Sequence, residues 1–464
     1  MLQPVNRLPP EILCRVVRFV PDKKAKDAKS IVPLTHVCRY WRESIVSAPG
    51  NWTLISSGSK DLTALSLGRS KAAPLEIDLN LRTRDREFLN LLLPRIHNTE
   101  SLTVHGFSSI EELIRALPNF PRSTPNLQSL SLHIAYTRAE RERSIDPFES
   151  LVDTLKHLSL NHFPLYPFLR LRSLTELDLI DNRFNHHVDT LLNFLKENPS
   201  LETVTLGIGF AEASLRSTRL SAAIETQLRH LSIRGNAMDS KAIISGIAFQ
   251  RGTRLEINHQ SSDAFGTLSG ILSGIPAKQL SNLLSPTFME CQSYCRSIRL
   301  LGPSGDLLFK CLHGPEDPFS ELHLLPLTLT NVRELRIVHC RSGMAPSPLK
   351  PTVFHPSSLS ALETLAVNCE TSVSHLFSTL FSNPSSSPSL KTLAFLDCNL
   401  TEDFMEELMK FALNRKGTTS ARLHRVVIVN SKGKLPTITS VDALGKHVPV
   451  VDARMGKEFP KDLT

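Results

Sequence analysis

Leu174-Thr175-Glu176-Leu177-Asp178-Leu179 is the clearest copy of a phrase that runs through most of this chain and decides its fold. Three apolar residues follow one another at intervals of three and two, and Asn182 comes shortly after. Eight further copies begin at Leu127, Leu155, Leu201, Leu228, Val332, Leu362, Leu390 and Leu423. Successive starts from Leu127 to Leu255 lie 28, 19, 27, 27 and 27 residues apart, and those from Val332 to Leu423 lie 30, 28 and 33 apart. A period of this kind indicates a repeated structural unit.

The phrase predicts a short strand in each copy. Leu177 and Leu179 are two positions apart and so share one face of a strand, while Asp178 points to the other face. A helical pattern follows the capping box Ser109-x-x-Glu112, and similar patterns lie at 188–195 and 404–412. Strands pack about 4.8 Å apart whereas helices need about 10 Å, so stacked strand–helix units must curve with the strands inside.

This periodicity resembles that of leucine-rich repeats. The resemblance implies an α/β fold, a curved solenoid with parallel strands inside and helices outside, which offers a surface to a protein partner. Buried leucines cannot discriminate between partners, so the outward positions between them must carry any specificity. The predicted target-binding residues are Glu176, Asp178, His230, Ser232, Glu334 and Arg336. Long inserts near 259–292 and 341–358 are expected to contribute to the same surface.

The first fifty residues have a different pattern. Pro9 and Pro10 open a predicted helix whose apolar residues recur at helical spacing: Ile12, Leu13, Val16 and Val17. A second apolar run begins at Ile31, and a third predicted helix carries one apolar stripe: Val37, Cys38, Trp41 and Ile45. Three helices this short cannot enclose much of a core, so we expect the segment to dock apolar surface onto a partner.

These landmarks resemble the F-box. Leu8-Pro9, the segment Val37-Cys38-Arg39-Tyr40-Trp41 and the closing Trp52 stand in the order that the family has, over roughly residues 5–52. F-box proteins bind a Skp-type adaptor and thereby join a cullin–RING ubiquitin ligase, the SCF complex, as its substrate receptor. Pro33 falls where the family has its middle helix, so we expect that helix to be longer, displaced or broken at this residue.

The F-box resemblance implies a set of adaptor-binding residues: Leu8, Pro9, Pro10, Ile12, Leu13, Val16, Leu34, Val37, Cys38 and Trp41. An F-box followed by leucine-rich repeats resembles the F-box/LRR family, and the segment Ser70–Leu75 looks like its fungal members. On this interpretation residues 1–55 form the F-box domain, 56–450 an irregular leucine-rich-repeat solenoid, and 451–464 a C-terminal tail or cap. The implied partners are the Skp-type adaptor, through it the cullin–RING ligase, and an unidentified target protein.

Charge and hydropathy narrow the class of partner. The net charge is +8, but the basic residues are dispersed, which disfavours nucleic acid as a partner. Residues 7–43 hold a local excess of basic residues that would suit an acidic protein partner. No apolar window is long enough for a membrane span, and Arg15, Arg18 and Lys23 interrupt every candidate signal-peptide core. We therefore expect a cytoplasmic or nuclear protein without a membrane partner.

Catalytic and metal-binding motifs are scarce in the sequence. The eight cysteines form no CxxC pair, and no phosphate-binding loop, zinc-protease motif or nucleophile elbow is present. Cys291-x-x-x-Cys295 with Cys311-x-His313 comes nearest to a zinc set, although a buried free cysteine beside a strand is ordinary. We expect no cofactor, no metal and no catalysis. A scaffold that binds the adaptor outside a ligase, and an enzyme built on this Cys/His set, remain the alternatives.

Overall fold

The computed structural model describes most of the chain, and every structural statement below concerns the residues it describes. These are residues 8–19, 28–56, 59–83, 86–117, 120, 122, 124–134, 148–151, 153–163, 165–184, 188–210, 223–259, 271–273, 288–292, 297–302, 305–311, 331–338, 360–368, 377, 380, 387–398, 400–416, 422–430 and 436–455. They fall into two compact units. Unit 1 is Met1–Phe184 with Asn193–Ile208, and unit 2 is Asn185–Leu192 with Gly209–Thr464.

Unit 1 begins with three helices: α1 Pro10–Phe19, α2 Ala28–Ile31 and α3 Arg39–Ser47. Of the three outcomes expected for the middle helix, longer, displaced or broken at Pro33, the structure shows an interruption: α2 ends at Ile31 and a 3-10 turn, Val32–His36, follows with Pro33 as its second residue. The third helix starts later than predicted. Cys38 is its extended N-cap and Val37 precedes it, so only Trp41 and Ile45 of the expected stripe are helical.

The sheet of unit 1 follows the repeat. Its strands are β1 Leu54–Ser56, β2 Leu75–Asn80, β3 Thr99–Phe107, β4 Ser129–Ile134, β5 His157–Asn161, β6 Glu176–Phe184 and β7 Thr203–Phe210, whose last two residues are assigned to unit 2. Strands β1 to β6 pair in chain order, each parallel to the next. The predicted parallel stacking is confirmed here, and it aligns equivalent positions of successive repeats in rows across the sheet.

The connections between these strands are less uniform than expected. The helices α4 Lys60–Ser70, α5 Arg86–Leu92, α6 Ile110–Ala116 and α7 Val188–Glu197 lie between strands, and Ser109 caps α6 as its capping box predicts. Between β4 and β5, and again between β5 and β6, the described residues contain 3-10 turns, Glu149–Leu151 and Tyr166–Phe168. The prediction of one α-helix per repeat is therefore wrong between β5 and β6, where a 19-residue spacing with Pro167 in the connection leaves little room for one. Residues 135–147, between β4 and β5, lie outside the described residues.

Unit 2 holds strands β9 His230–Gly235, β11 Thr253–His259, β12 Phe288–Gln292, β13 Ser297–Gly302, β14 Gly305–Cys311, β15 Glu334–Val338, β16 Thr364–Asn368, β17 Thr392–Leu396, β18 Arg425–Asn430 and β19 Val450–Met455. The short strands β8 Ile224–Glu225 and β10 Ile247–Ala248 pair with each other. The helices are α8 Ala237–Ser245, α9 Glu402–Lys416 and α10 Ile438–Gly445. Strand β19 pairs with β18 in parallel, so residues 451–455, assigned from the sequence to a tail or cap, extend the sheet.

The sheet of unit 2 is not parallel throughout, which corrects the prediction. Strand β13 pairs antiparallel with both β12 and β14. Parallel pairing connects β14 to β11 on one side and β12 to β15 on the other. Ile298 and Leu300, two apolar residues at strand spacing, thus lie on the middle strand of an antiparallel insertion. Their alternation indicates a strand but does not fix its direction.

The predicted core positions are buried. Each of the following is no more than 2% exposed: Leu177, Leu179, Leu231, Ile233, Leu365, Val367, Leu393 and Phe395. Buried phenylalanine rings contact one another in the core of each unit. In unit 1 the rings of Phe148 and Phe168 stack at 4.3 Å, and in unit 2 Phe377, Phe395 and Phe404 form a triad with centroids 5.5–5.6 Å apart. The core of both units therefore forms on the face that the repeat phrase predicts.

Candidate interaction surfaces

The N-terminal module, defined here as α1 to α3 with the segment to Trp52, has a small core of its own. Val17, Ile31, Ile45 and Trp52 are each at most 6% exposed and pack together. The indole Nε1 of Trp52 donates to the Ile45 carbonyl at 3.0 Å, and Arg69 of α4 lies over the ring at 4.3 Å. This core fixes which face of each helix turns inward.

Helix α1 divides its apolar residues between two faces. Leu13 and Val17 are buried, whereas Ile12 and Val16 are 42% and 38% exposed. Cys14 holds the inner side near α3, because its Sγ donates to the Ser44 carbonyl at 3.6 Å. Both pairs are four residues apart, so each forms one stripe of the helix. The sequence prediction that Leu13 belongs to an exposed docking patch is therefore wrong.

The other predicted adaptor-binding residues also differ in exposure. Pro9 and Pro10 are exposed, and Val37 is 57% exposed at the entry to α3. Leu8 is half-buried, and its carbonyl accepts the hydroxyl of Tyr40. Leu34 and Trp41 pack against the module core, and Cys38 is half-buried. We define the outer patch as Pro9, Pro10, Ile12, Val16 and Val37.

A groove lies between the 3-10 turn Val32–His36, α3 and α4. This groove has a volume of about 660 Å³. Its apolar lining comes from Val32, Val46 and Leu65, and its basic lining from His36, Arg42 and Arg69. None of the residues of the outer patch lines it.

The outward face of β2 to β6 in unit 1 carries hydrogen-bonded polar residues. The Oγ of Ser129 lies 2.9 Å from Nδ1 of His157, and Nε2 of His157 lies 3.5 Å from Oδ2 of Asp178. The hydrogen bond to Asp178 and the negative charges of Asp178 and Glu176 raise the pKa of His157, and partial burial opposes them. The predicted residues Glu176 and Asp178, both on β6, thus lie beside His157 of the neighbouring strand β5.

Two further histidines lie on the same face. His105 and His133 stack with their ring centroids 4.3 Å apart, and Nε2 of His105 is 3.4 Å from Oδ1 of Asp78. Burial, and next the neighbouring His105, lower the pKa of His133, while Asp78 acts against them. Sequence reasoning missed these three histidines, His105, His133 and His157. The sequence signal that could have revealed them is their outward position in the repeat, on strands that lie next to those carrying the carboxylates.

The predicted target-binding residues of unit 2 are less accessible. Ser232 is 5% exposed, so its assignment as an outward contact residue is wrong. Glu334 and Arg336 pair with each other at 2.7 Å, and their side chains are only 25% and 17% exposed. His230 is half-buried. Position on the outward side of a strand therefore does not ensure exposure in this unit.

A buried apolar cluster occupies other outward positions of unit 2. Ala366, Ala394, Leu396, Val427 and Val429 occupy the outward positions of β16 to β18, and each is at most 5% exposed. These strands are thus buried on both faces, which removes them as a recognition surface.

Metal and membrane features are absent from the described part of the chain. No group of three or more His, Cys, Asp or Glu residues there could hold a metal ion. Of the proposed zinc set, Cys291 and Cys311 lie on β12 and β14, while Cys295 and His313 fall outside the described residues. No helix in the described ranges is long and apolar enough to cross a membrane.

Comparison with known proteins gives weak likenesses to solved structures. A protein from Bacteroides fragilis is 10% identical, with 84% of this chain and 78% of that chain covered and a TM-score of 0.23. A leucine-rich-repeat protein from Leptospira interrogans is 13% identical, with coverage of 78% and 87% and a TM-score of 0.28. The leucine-rich-repeat-containing protein LegL7 from Legionella pneumophila is 15% identical, with coverage of 81% and 90% and a TM-score of 0.22. No protein-family model and no curated protein matches the chain.

The class of fold follows from the chain itself, since likenesses at these TM-scores carry no argument. Nine copies of one apolar phrase each bury their leucine positions on a strand, and the strands of unit 1 stack in parallel. These are the features of a leucine-rich-repeat protein. Its N-terminal module is a separate helical element joined to the first strand of the repeats.

Proposed function

We propose that this chain is the substrate-recognition subunit of a Skp–cullin–F-box ubiquitin ligase, in which the N-terminal module binds the Skp-type adaptor and the repeats bind a target protein. The main support for the proposal is the exposure of the apolar residues of the outer patch. The module has a closed core around Trp52, yet α1 still presents Ile12 and Val16 outward. Half of the large apolar side chains that are exposed among the described residues lie in this module: Ile12, Val16 and Val37.

Exposed apolar side chains grouped on one short helix are typical of a surface that a partner covers. The resemblance of this segment to the F-box supplies the identity of that partner. Basic residues in the surrounding segment favour an acidic protein, because charge of opposite sign speeds association. No family model supports the F-box assignment, so it rests on the order of its residues and on the exposure of the outer patch.

The chain itself has no catalytic role in this proposal. Other subunits transfer ubiquitin, and this chain contributes proximity by holding a target near the charged conjugating enzyme. The strand face of unit 1, with Glu176 and Asp178, is the proposed target-binding surface. Such a complex would act in the cytoplasm or the nucleus.

Affinity purification of the tagged full chain under native conditions tests this function. We expect a Skp-type adaptor and a cullin to co-purify in stoichiometric amounts. Recovery of the adaptor without any cullin would instead support a scaffold that acts outside a ligase. Recovery of neither protein would overturn both functions.

A further inference from the structure

The outward face of β2 to β6 differs in charge from the chain that carries it. The chain has a net charge of +8. At the described outward positions of these five strands there are four carboxylates and no Lys or Arg, namely Glu76 and Asp78 on β2, and Glu176 and Asp178 on β6. We define this surface as the acidic strand face.

The register places the four carboxylates in two pairs at opposite sides of the face. Glu76 lies in the row of Ser101, Ser129, His157 and Glu176, and Asp78 in the row of Thr103, Ser131, Ser159 and Asp178. Strands β2 and β6 are four steps apart, which corresponds to about 19 Å between the two pairs. Serine, threonine and histidine side chains occupy the space between them.

Two other uses of this face are disfavoured by the geometry. The Ser129–His157–Asp178 contacts have the residue types of a hydrolytic triad. Hydrolysis also needs N–H donors aimed at the developing oxyanion, and the backbone of β4 to β6 is engaged in ladder pairing. A metal site is disfavoured because no suitable ligand group exists among the described residues.

We propose that the acidic strand face docks an extended basic segment of the target protein, which crosses the strands and places Lys or Arg side chains against each carboxylate pair. That the partner is a ligase target rests on the proposed function, whereas the inference that its docking segment is basic rests on the four carboxylates of this face. An extended chain advances about 3.3 Å per residue, so the two basic positions should lie roughly six residues apart.

The polar middle of the face suits such a segment. Outward Ser101, Thr103 and Ser131 are partly exposed and can hydrogen-bond the backbone of a crossing chain. Of the basic residues nearby along the chain, exposed Lys156 is directed to the Ser173 carbonyl at 3.4 Å. Arg82 follows the end of β2, where its backbone N–H donates to Asn80. Both lie outside the two rows that hold the carboxylates.

Histidine protonation would weaken the docking. His105 contacts Asp78, and His157 contacts Asp178 with Glu176 nearby. His133 faces His105, and Asp78 also acts on it. Each imidazolium charge added at His157 or His133 would cancel part of the attraction for a basic segment, so binding should be weaker at about pH 5.5 than at about pH 7.5.

The test uses the full chain and labelled peptides of about twelve residues followed by fluorescence anisotropy. One peptide carries Lys-Arg pairs roughly six positions apart in a Gly/Ser background, a second has Glu in place of each basic residue, and a third has the two pairs adjacent. We expect the first to bind, the third to bind more weakly and the second not to bind. Equal binding of the basic and acidic peptides would overturn the proposal.

Matched variants locate the binding. Glu176→Gln with Asp178→Asn should weaken binding of the spaced basic peptide by about fivefold, as expected for two exposed ion pairs. The control is Glu402→Gln with Asp403→Asn on the exposed first turn of α9, which removes the same charges elsewhere and should leave binding unchanged. Equal losses in both variants would mean attraction to net charge only and would refute the site.

The peptide-binding test and the adaptor-binding test can succeed or fail independently of each other. Adaptor binding should be the same in the Glu176/Asp178 variant and in the wild-type chain. If the peptide binds at this face while no adaptor co-purifies, the docking inference stands and the ligase function fails. Thermal unfolding of each variant excludes a general loss of structure.

Discussion

Trp52 joins several parts of the N-terminal module through one side chain. It packs with residues from α1, α2 and α3, donates its Nε1 to Ile45 and lies under Arg69 of α4. Replacing it with alanine should lower the free energy of unfolding of the module by about 3–5 kcal/mol, because a large buried ring is lost.

Tryptophan fluorescence can measure this loss selectively. The chain has two tryptophans, Trp41 and Trp52, and both lie in the module. Urea unfolding of Trp52→Ala, followed by the remaining Trp41, should show a transition at much lower denaturant than the wild type. Trp41→Phe is the control, with a smaller loss expected since Trp41 is half-buried. An unchanged midpoint in Trp52→Ala would contradict the described core.

His157 gives unit 1 a pH-dependent stability. Its pKa is raised in the folded state by Asp178 and Glu176, so folding favours the protonated imidazole. The added stability is fully present below the unfolded pKa of about 6.5 and is lost as pH rises through the folded pKa. His157→Gln should therefore destabilise the protein more at about pH 5.5 than at about pH 8.

Chemical denaturation at the two pH values checks this prediction. Asp178→Asn should remove most of the same pH dependence, because it deletes the main cause of the shift. A destabilisation by His157→Gln that is equal at both pH values, or larger at the higher one, would show that the contact contributes nothing through protonation.

At the residue scale the sequence could predict which side chains are apolar, but not always where they point. Helical spacing placed Ile12, Leu13 and Val16 on one amphipathic helix. Their division into inner and outer stripes depends on how α1 packs against α3, which is tertiary information. Ser232 illustrates the converse case. Its strand position is outward as predicted, yet neighbouring structure covers it.

At the scale of single elements, Asn236 shows how a repeat passes from strand to helix. Following β9, its Oδ1 accepts the N–H of Asp239 at 2.8 Å and caps α8. A small polar side chain five residues after Leu231 thus bonds the backbone at the point where the chain leaves the strand. In the corresponding position of a later repeat, Cys398 is buried with its Sγ 3.3 Å from the Val367 carbonyl.

Removing this cap should loosen the start of α8. Asn236→Ala is expected to destabilise the helix by about 1 kcal/mol, while Asn236→Ser retains a neutral acceptor beside Asp239, to which the Asn236 Nδ2 donates, and should cost less. Amide hydrogen exchange in α8 provides the local measurement, with faster exchange expected in the alanine variant. Identical exchange in all three proteins would mean that the cap is not formed in solution.

Strand existence was predictable at this scale, whereas strand direction and connection type were not. The phrase dictates burial of alternate residues, and all nine clear copies obey it. The stretch between Leu255 and Val332 has only a weak repeat, so nothing in it specifies the antiparallel insertion β12 to β14. Similarly, the 19-residue spacing from Leu155 to Leu174 predicts a repeat but does not show that its connection is a 3-10 turn.

For the whole molecule, the chain presents two surfaces of opposite chemistry. The outer patch of the N-terminal module is apolar in a basic segment, whereas the acidic strand face of unit 1 is polar and negative. A receptor that must hold an adaptor and a target at once needs two such independent surfaces. The outer patch is the proposed surface for the adaptor.

Calorimetric titration of a purified Skp-type adaptor into the full chain measures binding at the outer patch. Ile12→Asp with Val16→Asp alters exposed positions only, and should abolish measurable binding while the tryptophan fluorescence transition stays near that of the wild type. The control, Met238→Asp with Leu413→Asp, makes the same kind of change at two apolar residues exposed on other helices, 60% and 52% accessible, and should bind like the wild type. Wild-type affinity in the Ile12/Val16 variant, or no affinity in the wild-type chain, would contradict the account.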